Sequence, residues 1–202
     1  MAGRRGPASQ PWGDTLFSTT RSRVRALSVA GMVAVVAGIG AVTYNASAAE
    51  ITDARSVAIP AIPGTIKPPP GSRPIGAYIV TKGTQNYTCG ADGVFPATSV
   101  PEAQLIGTGG RIHHFAGPSW QSLRDGSLVT ATKLTSSDRT GAIPELLLQV
   151  NSHSGKGILS KADYINRLFT SGGLAPAGPC TAGQTASVPY GAVYVFWDDP
   201  AV

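Results

Sequence analysis

The chain has 202 residues, enough for one domain with additions, and its hydrophobic content of 42% is ordinary for a globular protein. Its formal net charge is +5, but five of the 16 basic residues and one of the 11 acidic ones fall within residues 1–49, so the remainder carries 11 and 10 and a net charge of +1. Those positive residues stand singly among acidic ones with no basic stripe, which excludes a nucleic-acid binder.

In chain order, the first element is an export signal. Arg21, Arg23 and Arg25 precede an uncharged apolar run, Leu27 to Val42, and small residues close the segment at Ala46 and Ala48 or at Ser47 and Ala49. The run is shorter than the roughly 20 residues of a bilayer-spanning helix and is rich in glycine and alanine, so cleavage after Ala48 or Ala49 is expected. The alternative is an uncleaved anchor, since Ala26 to Ala49 carry no charge; only in that case would the chain contact a membrane. Arg4 and Arg5 form a twin-arginine pair too far ahead of the apolar run to mark a folded-state export route.

Residues 50–74 form the next unit. "VAIPAIPGTIKPPPGSRP", residues 57–74, holds six of the 16 prolines, which rules out a helix or a central strand and predicts an extended arm. Val57, Ile59, Ile62 and Ile66 are too apolar for a bare linker and predict partial packing.

From Ile75 the apolar period becomes two, opening a β-rich unit over 75–202. "AYIVTKGTQNYTC" reads as strand, Lys-Gly turn, strand; "EAQLIG", "RIHHFAG", "SLVTATKL", "ELLLQVNS" and "VPYGAVYVFW" follow, each bounded by turn residues. "LRDGSL" carries the strongest short hairpin signal, an Asp-Gly pair between apolar stretches. One segment reads as helix, Ser160 to Ser171: Ser160 and Asp163 suit a capping box, Ala162, Ile165, Leu168 and Phe169 share a helical face, and Gly172 and Gly173 end it. The expected fold is mainly β, an antiparallel sandwich or barrel with one α-helix. Cys89 and Cys180 both lie in the exported part, where an even count reads as one disulfide; closing a loop of that size contributes very roughly 4 kcal/mol on the chain-entropy model.

The candidate chemistry centres on "RIHHFAGPSW", residues 111–120. On a regular strand His113 and His114 point to opposite faces, so only one of them can share a site with His153. His153, one of that pair and Asp125 would make a donor set adequate for zinc or copper, but no close-spaced ligand pair is present, so no metal and no cofactor are expected. Ser119, Ser127, Ser152 and Ser154 lie near histidines without a G-x-S-x-G elbow to expose a nucleophile. "GTGGRI" begins like a dinucleotide fingerprint, but Ile112 takes the third glycine's place, which excludes a nicotinamide cofactor. The structural reading gives His114 a hydrogen bond inside the sheet and makes Gly117, Pro118 and Trp120 a corner.

"GTQNYTC", "PEAQL", "HHFAGPSW" followed by "DGS", "IPELLL", "YINRLFTSGG" with "APAGPC", and "VPYGAVYVFW" occur in that order. In this combination the chain resembles the secreted domain of unknown function 3455 family of bacteria and fungi. The resemblance implies a fold and an extracellular address, and no established activity or catalytic residue. Two departures stand out: "GVFPATS" follows the first cysteine where the family pattern has a tryptophan, and Glu145 stands where another tryptophan is usual, which questions the burial of that face.

Three function classes follow. The first is a secreted, non-catalytic β module for an unknown extracellular or envelope ligand, with Trp120, Tyr190, Tyr194 and Trp197 as candidate contacts. The second is a small secreted enzyme, metal-dependent or hydrolytic, using His114 or His153 with Asp125. The third is a structural envelope protein held by an uncleaved anchor. A pocket joining two histidines and an acid would favour the enzyme; an exposed aromatic groove would favour binding.

Overall fold

The computed structural model describes residues 58–201 and the backbone of Val42–Thr43. The expected signal segment with its cleavage points at Ala48 and Ala49 lies outside the described residues, apart from that backbone pair. Val42–Thr43 forms β1 and pairs with β2, Ala58–Ile59.

Eight antiparallel strands then close into a barrel: β3 (Arg73–Thr88), β4 (Val100–Gly107), β5 (Gly110–Phe115), β6 (Ser119–Ser122), β7 (Leu128–Ser137), β8 (Glu145–Ser154), β9 (Tyr164–Gly172) and β10 (Thr185–Asp198). Each pairs with the next in sequence and β10 closes on β3, so this is an up-and-down barrel rather than a sandwich. At one end, called here the disulfide end, lie the β3–β4, β5–β6, β7–β8 and β9–β10 connections. The β4–β5 and β6–β7 hairpins and the β8–β9 loop lie at the other.

Strand alternation sorts the side chains. On β10, Tyr190, Ala192, Tyr194 and Phe196 join the interior cluster, while Val195 and Trp197 belong to a second cluster on the outer face. An eight-stranded barrel is just wide enough for side chains to fill it. Toward the hairpin end the filling is apolar, with Tyr78 and Phe196 edge to face at 5.5 Å and Leu159 and Ala162 buried in the same cluster.

The expected helix at Ser160–Ser171 is instead a strand, β9. Ile165 belongs to the interior cluster, whereas Tyr164 and Leu168 belong to the outer one, where Ile59 and Ile66 of the arm cover them. A strand buried on both faces shows no apolar-polar alternation, which is why its apolar residues matched a helical stripe. The supposed caps serve other ends: Ser160 Oγ donates to the Gly157 carbonyl at 2.8 Å, and Asp163 Oδ2 accepts the Asp199 amide at 2.7 Å. A 3-10 turn, Gly64–Ile66, is the one helical element among the described residues.

The expected Lys-Gly turn is also absent, because β3 runs unbroken through Lys82 and Gly83 with a register shift between Val80 and Lys82. Gly83 is needed for space rather than for turning: a Cβ there would stand 2.7 Å from Val80 Cγ1 and 2.8 Å from Tyr190 Cε1. The Asp-Gly hairpin does join β6 to β7, with Gly126 at φ +75°.

The arm lies against the barrel's outer face. Asn166 Nδ2 donates to the Ile66 carbonyl at 2.8 Å and to the Leu146 carbonyl at 3.1 Å, and its Oδ1 accepts Trp197 Nε1 at 2.9 Å. One buried carboxamide thus ties arm, β8, β9 and β10 together. Ile66 is fully buried, so Ile66→Ala is expected to cost about 2 to 3 kcal/mol, toward the low end for such truncations because an arm can settle into the gap. Urea denaturation followed by tryptophan emission reads this; an unchanged midpoint would mean that the arm lies outside the cooperative unit.

Candidate functional site

β5 separates the paired histidines as its alternation requires. His113 lies on the outer face, its Nε2 2.6 Å from Glu102 Oε1 and its ring stacked on Phe115 at 4.8 Å. His114 faces the interior at 2% exposure. Its Nδ1 donates to the Ser119 carbonyl at 2.9 Å, and its ring lies flat on Trp120, with centroids 4.3 Å apart and planes 6° from parallel. Burial holds the His114 pKa down to about 3; the Ser119 bond pulls upward, while Arg167 and His113 push further down. At neutral pH the ring is therefore uncharged, and with Nδ1 donating, Nε2 is its acceptor nitrogen.

The remaining candidates lie elsewhere. His153 is exposed on β8 with Nε2 2.8 Å from the Ala162 carbonyl. Asp125 staples the hairpin end: Oδ1 accepts the Ser127 hydroxyl at 2.6 Å and the Ser127 amide at 3.1 Å, and Oδ2 accepts the Ile158 amide at 3.1 Å. Desolvation would raise this carboxyl, but the Ser127 hydroxyl, the Ile158 and Ser127 amides and the Ser122 hydroxyl together hold it at about 2. Among the described residues no three His, Cys, Asp or Glu side chains come together as a metal site.

The four aromatic contact candidates form no exposed groove. Trp120, Tyr190, Tyr194 and Trp197 are all buried, at 1%, 6%, 1% and 2% exposure, because their inward or arm-covered positions place them in the two cores. Three of them instead line the interior toward the disulfide end. Tyr194 sits with its ring centre 5.2 Å from His114 and 5.8 Å from Trp120, and its hydroxyl lies 3.3 Å from that of Tyr190. Burial, and for Tyr190 also the neighbouring Tyr194, pushes both phenols up, so both remain protonated at neutral pH.

Two further residues complete this polar half, and nothing in the sequence marked them. Gln85, inward on β3 and 2% exposed, lies beside the Tyr190 hydroxyl without hydrogen-bond geometry; its Oε1 accepts Ser99 Oγ at 2.5 Å, and its Nε2 has no acceptor. Arg167 on β9 lies beside the Tyr194 hydroxyl and is half-buried. Its Nε and Nη2 donate to the Pro144 carbonyl at 3.2 and 2.8 Å. Trp120 Nε1 is likewise buried without an acceptor. Read as strand, β9 would have put Arg167 on the face of Ile165, the signal that the helical reading hid.

Glu145 is an acid held on a buried face by two partners. It is 7% exposed, so its face is buried after all. Phe169 has a left-handed backbone, φ +49°, at a bulge against β10, and Glu145 Oε1 accepts its amide at 2.7 Å while pairing with Arg139 Nη1 at 3.2 Å.

A cavity of about 540 Å³ lies outside the barrel between the arm and Trp197, walled by Ile59, Ile62 and a run of prolines with Lys67 and Ser72. It holds none of the candidate acid, base or nucleophile groups.

A family model described as "Protein of unknown function (DUF3455)" matches residues 107–198, from the end of β4 through β10. The resemblance thus covers His114, Trp120, Arg167, Tyr190 and Tyr194 and brings no activity with it. No curated protein and no solved structure matches the chain.

Proposed function

We propose that the chain is an exported, non-catalytic β-barrel module that takes a small ligand outside the cell or at its envelope. The observation that carries the reading is a pair of buried donors inside the barrel that the fold itself leaves unpartnered: Trp120 Nε1 and Gln85 Nε2 lie toward the disulfide end, while the third such group, Ser72 Oγ, lines the cavity beside the arm. Native interiors pair nearly all such groups, and an unpaired one costs about 1 to 3 kcal/mol, so leftovers in one half of a barrel support a guest there.

Catalysis finds less support. Nucleophile and base must stand within hydrogen-bond reach, with the base oriented by a third group. His114, His153 and Asp125 are each held by structural partners in separate places. Export is supported by the disulfide between Cys89 and Cys180, a bond that persists in oxidising compartments. Among the described residues no helix is long and apolar enough to cross a membrane.

Expression of the whole precursor in a secreting bacterial host tests export. The protein recovered from the medium is expected to begin at Ala49 or Glu50, by intact mass, with no alkylatable thiol. Soluble protein retaining Met1, or carrying two free cysteines, would overturn the export half of the reading.

A further inference from the structure

The donors in the polar half have one character. Trp120 Nε1 can only donate, the Gln85 amide nitrogen can only donate, and both tyrosines stay protonated. Arg167 adds a full positive charge that is half-buried, satisfied on one side by a backbone carbonyl, and paired with no carboxylate among the described residues. A guanidinium drawn out of water normally finds an acid; even the exposed Arg139 pairs with Glu145 on β8. Here the acid is missing, and the surplus donors lie on the strands around it. β3 and β10 bring Gln85 beside Tyr190, Tyr190 meets Tyr194, and Tyr194 touches both Arg167 and the His114–Trp120 stack. The uncharged His114 adds no second cation; its ring is stacked on Trp120, and its Nε2 remains an acceptor.

From this arrangement we infer that the polar half of the barrel is a binding site for a small oxyanion, a carboxylate or a phosphate, whose oxygens take the donors of Trp120 and Gln85 and whose charge balances Arg167. The inference rests on the reading of the chain as a ligand-binding barrel and deepens it. Charge-assisted hydrogen bonds to an ionised acceptor are roughly twice as strong as neutral ones, so an anion answers this donor set better than a neutral carbonyl does.

The test uses the secreted, disulfide-bonded protein labelled with ¹⁵N. The indole N–H of Trp120, assigned through Trp120→Phe, and the Gln85 side-chain amide are followed while sodium acetate, benzoate or phosphate is added, with sodium chloride at equal ionic strength as the control. Saturable displacement of both signals by a carboxylate or by phosphate, and not by chloride, is the expected result; which salt acts separates the two sources. Trp120→Phe keeps the ring and removes the donor, so binding followed at Gln85 should weaken about tenfold, and Arg167→Met should abolish it. The wild-type signals report without either variant. Binding undiminished in both variants would overturn the inference. Displacement by neutral benzamide but by no anion would end the oxyanion assignment and leave a binding barrel standing, whereas displacement by nothing would end both.

Discussion

Lowering the pH from 7 to 4 is expected to cost the barrel about 3 kcal/mol, rising to on the order of 4 by pH 3, with most of the loss traceable to His114. The sign follows from where the proton binds. In the unfolded chain His114 takes up a proton near pH 6.5, but in the fold it resists one until about pH 3. Between those values the unfolded state holds the extra proton, so stability is fully present above about 6.5 and falls by roughly 1.4 kcal/mol per pH unit as pH drops through the window. Asp125, held down to about 2, acts in the same direction but only below about pH 4, where its unfolded form protonates first. Urea denaturation of wild type and His114→Phe at pH 7, 5.5 and 4 separates the two. The variant keeps a ring on Trp120 and loses the titrating group, so its stability should be lower at pH 7, for want of a partner to the Ser119 carbonyl, and nearly flat down to pH 4. Equal slopes in the two proteins would mean that some other group carries the acid sensitivity.

The parts of the fold that the sequence reveals are those with one wet face. On β5 alternation is plain, and it correctly sets His113 and His114 on opposite faces. β10 and the Asp-Gly connection of β6 to β7 are legible for similarly local reasons, a period of two and a left-handed glycine. β9 is illegible because its environment is not local: the arm, about a hundred residues earlier, covers the face that would otherwise be polar, as the Asn166 to Ile66 bond shows. Gly83 misleads for a related reason, since glycine beside lysine reads as a turn until the Tyr190 ring that excludes a side chain is known. The site is less legible than the fold. His114 and Trp120 are near in sequence, but Gln85 and Arg167 reach them only through barrel closure, which places β3 and β9 on either side of β10.

Breaking the covalent link at the disulfide end of the barrel should have an effect of similar size. Cys89–Cys180 joins the end of β3 to the β9–β10 connection across a sequence separation of 91, and a loop of that length constrains the unfolded chain by roughly 4 kcal/mol at 25 °C. In the fold the bridge is one of several ties at the same corner. The Cys89 amide donates to the Gln184 carbonyl at 2.8 Å, the Gly183 amide to the Cys89 carbonyl at 3.0 Å and the Cys180 amide to the Gly93 carbonyl at 2.8 Å, and Tyr87 Oη donates to the Gly173 carbonyl at 2.5 Å. Those bonds should hold the corner after the sulfurs are gone, so the bridge acts chiefly on the unfolded state. Cys89→Ala with Cys180→Ala is therefore expected to lower the unfolding free energy by about 4 kcal/mol while leaving the far-ultraviolet circular dichroism and the Trp120 indole signal in place. A loss below about 1 kcal/mol would show that the unfolded chain is already compact around this loop. A folded protein whose Trp120 and Gln85 signals have moved would show instead that the bridge shapes the interior around those two side chains. Export bears on the same quantity: a domain whose total stability lies in the usual range of about 5 to 15 kcal/mol loses much of its margin in a reducing compartment, so chain retained there should unfold at a lower urea concentration than the secreted protein.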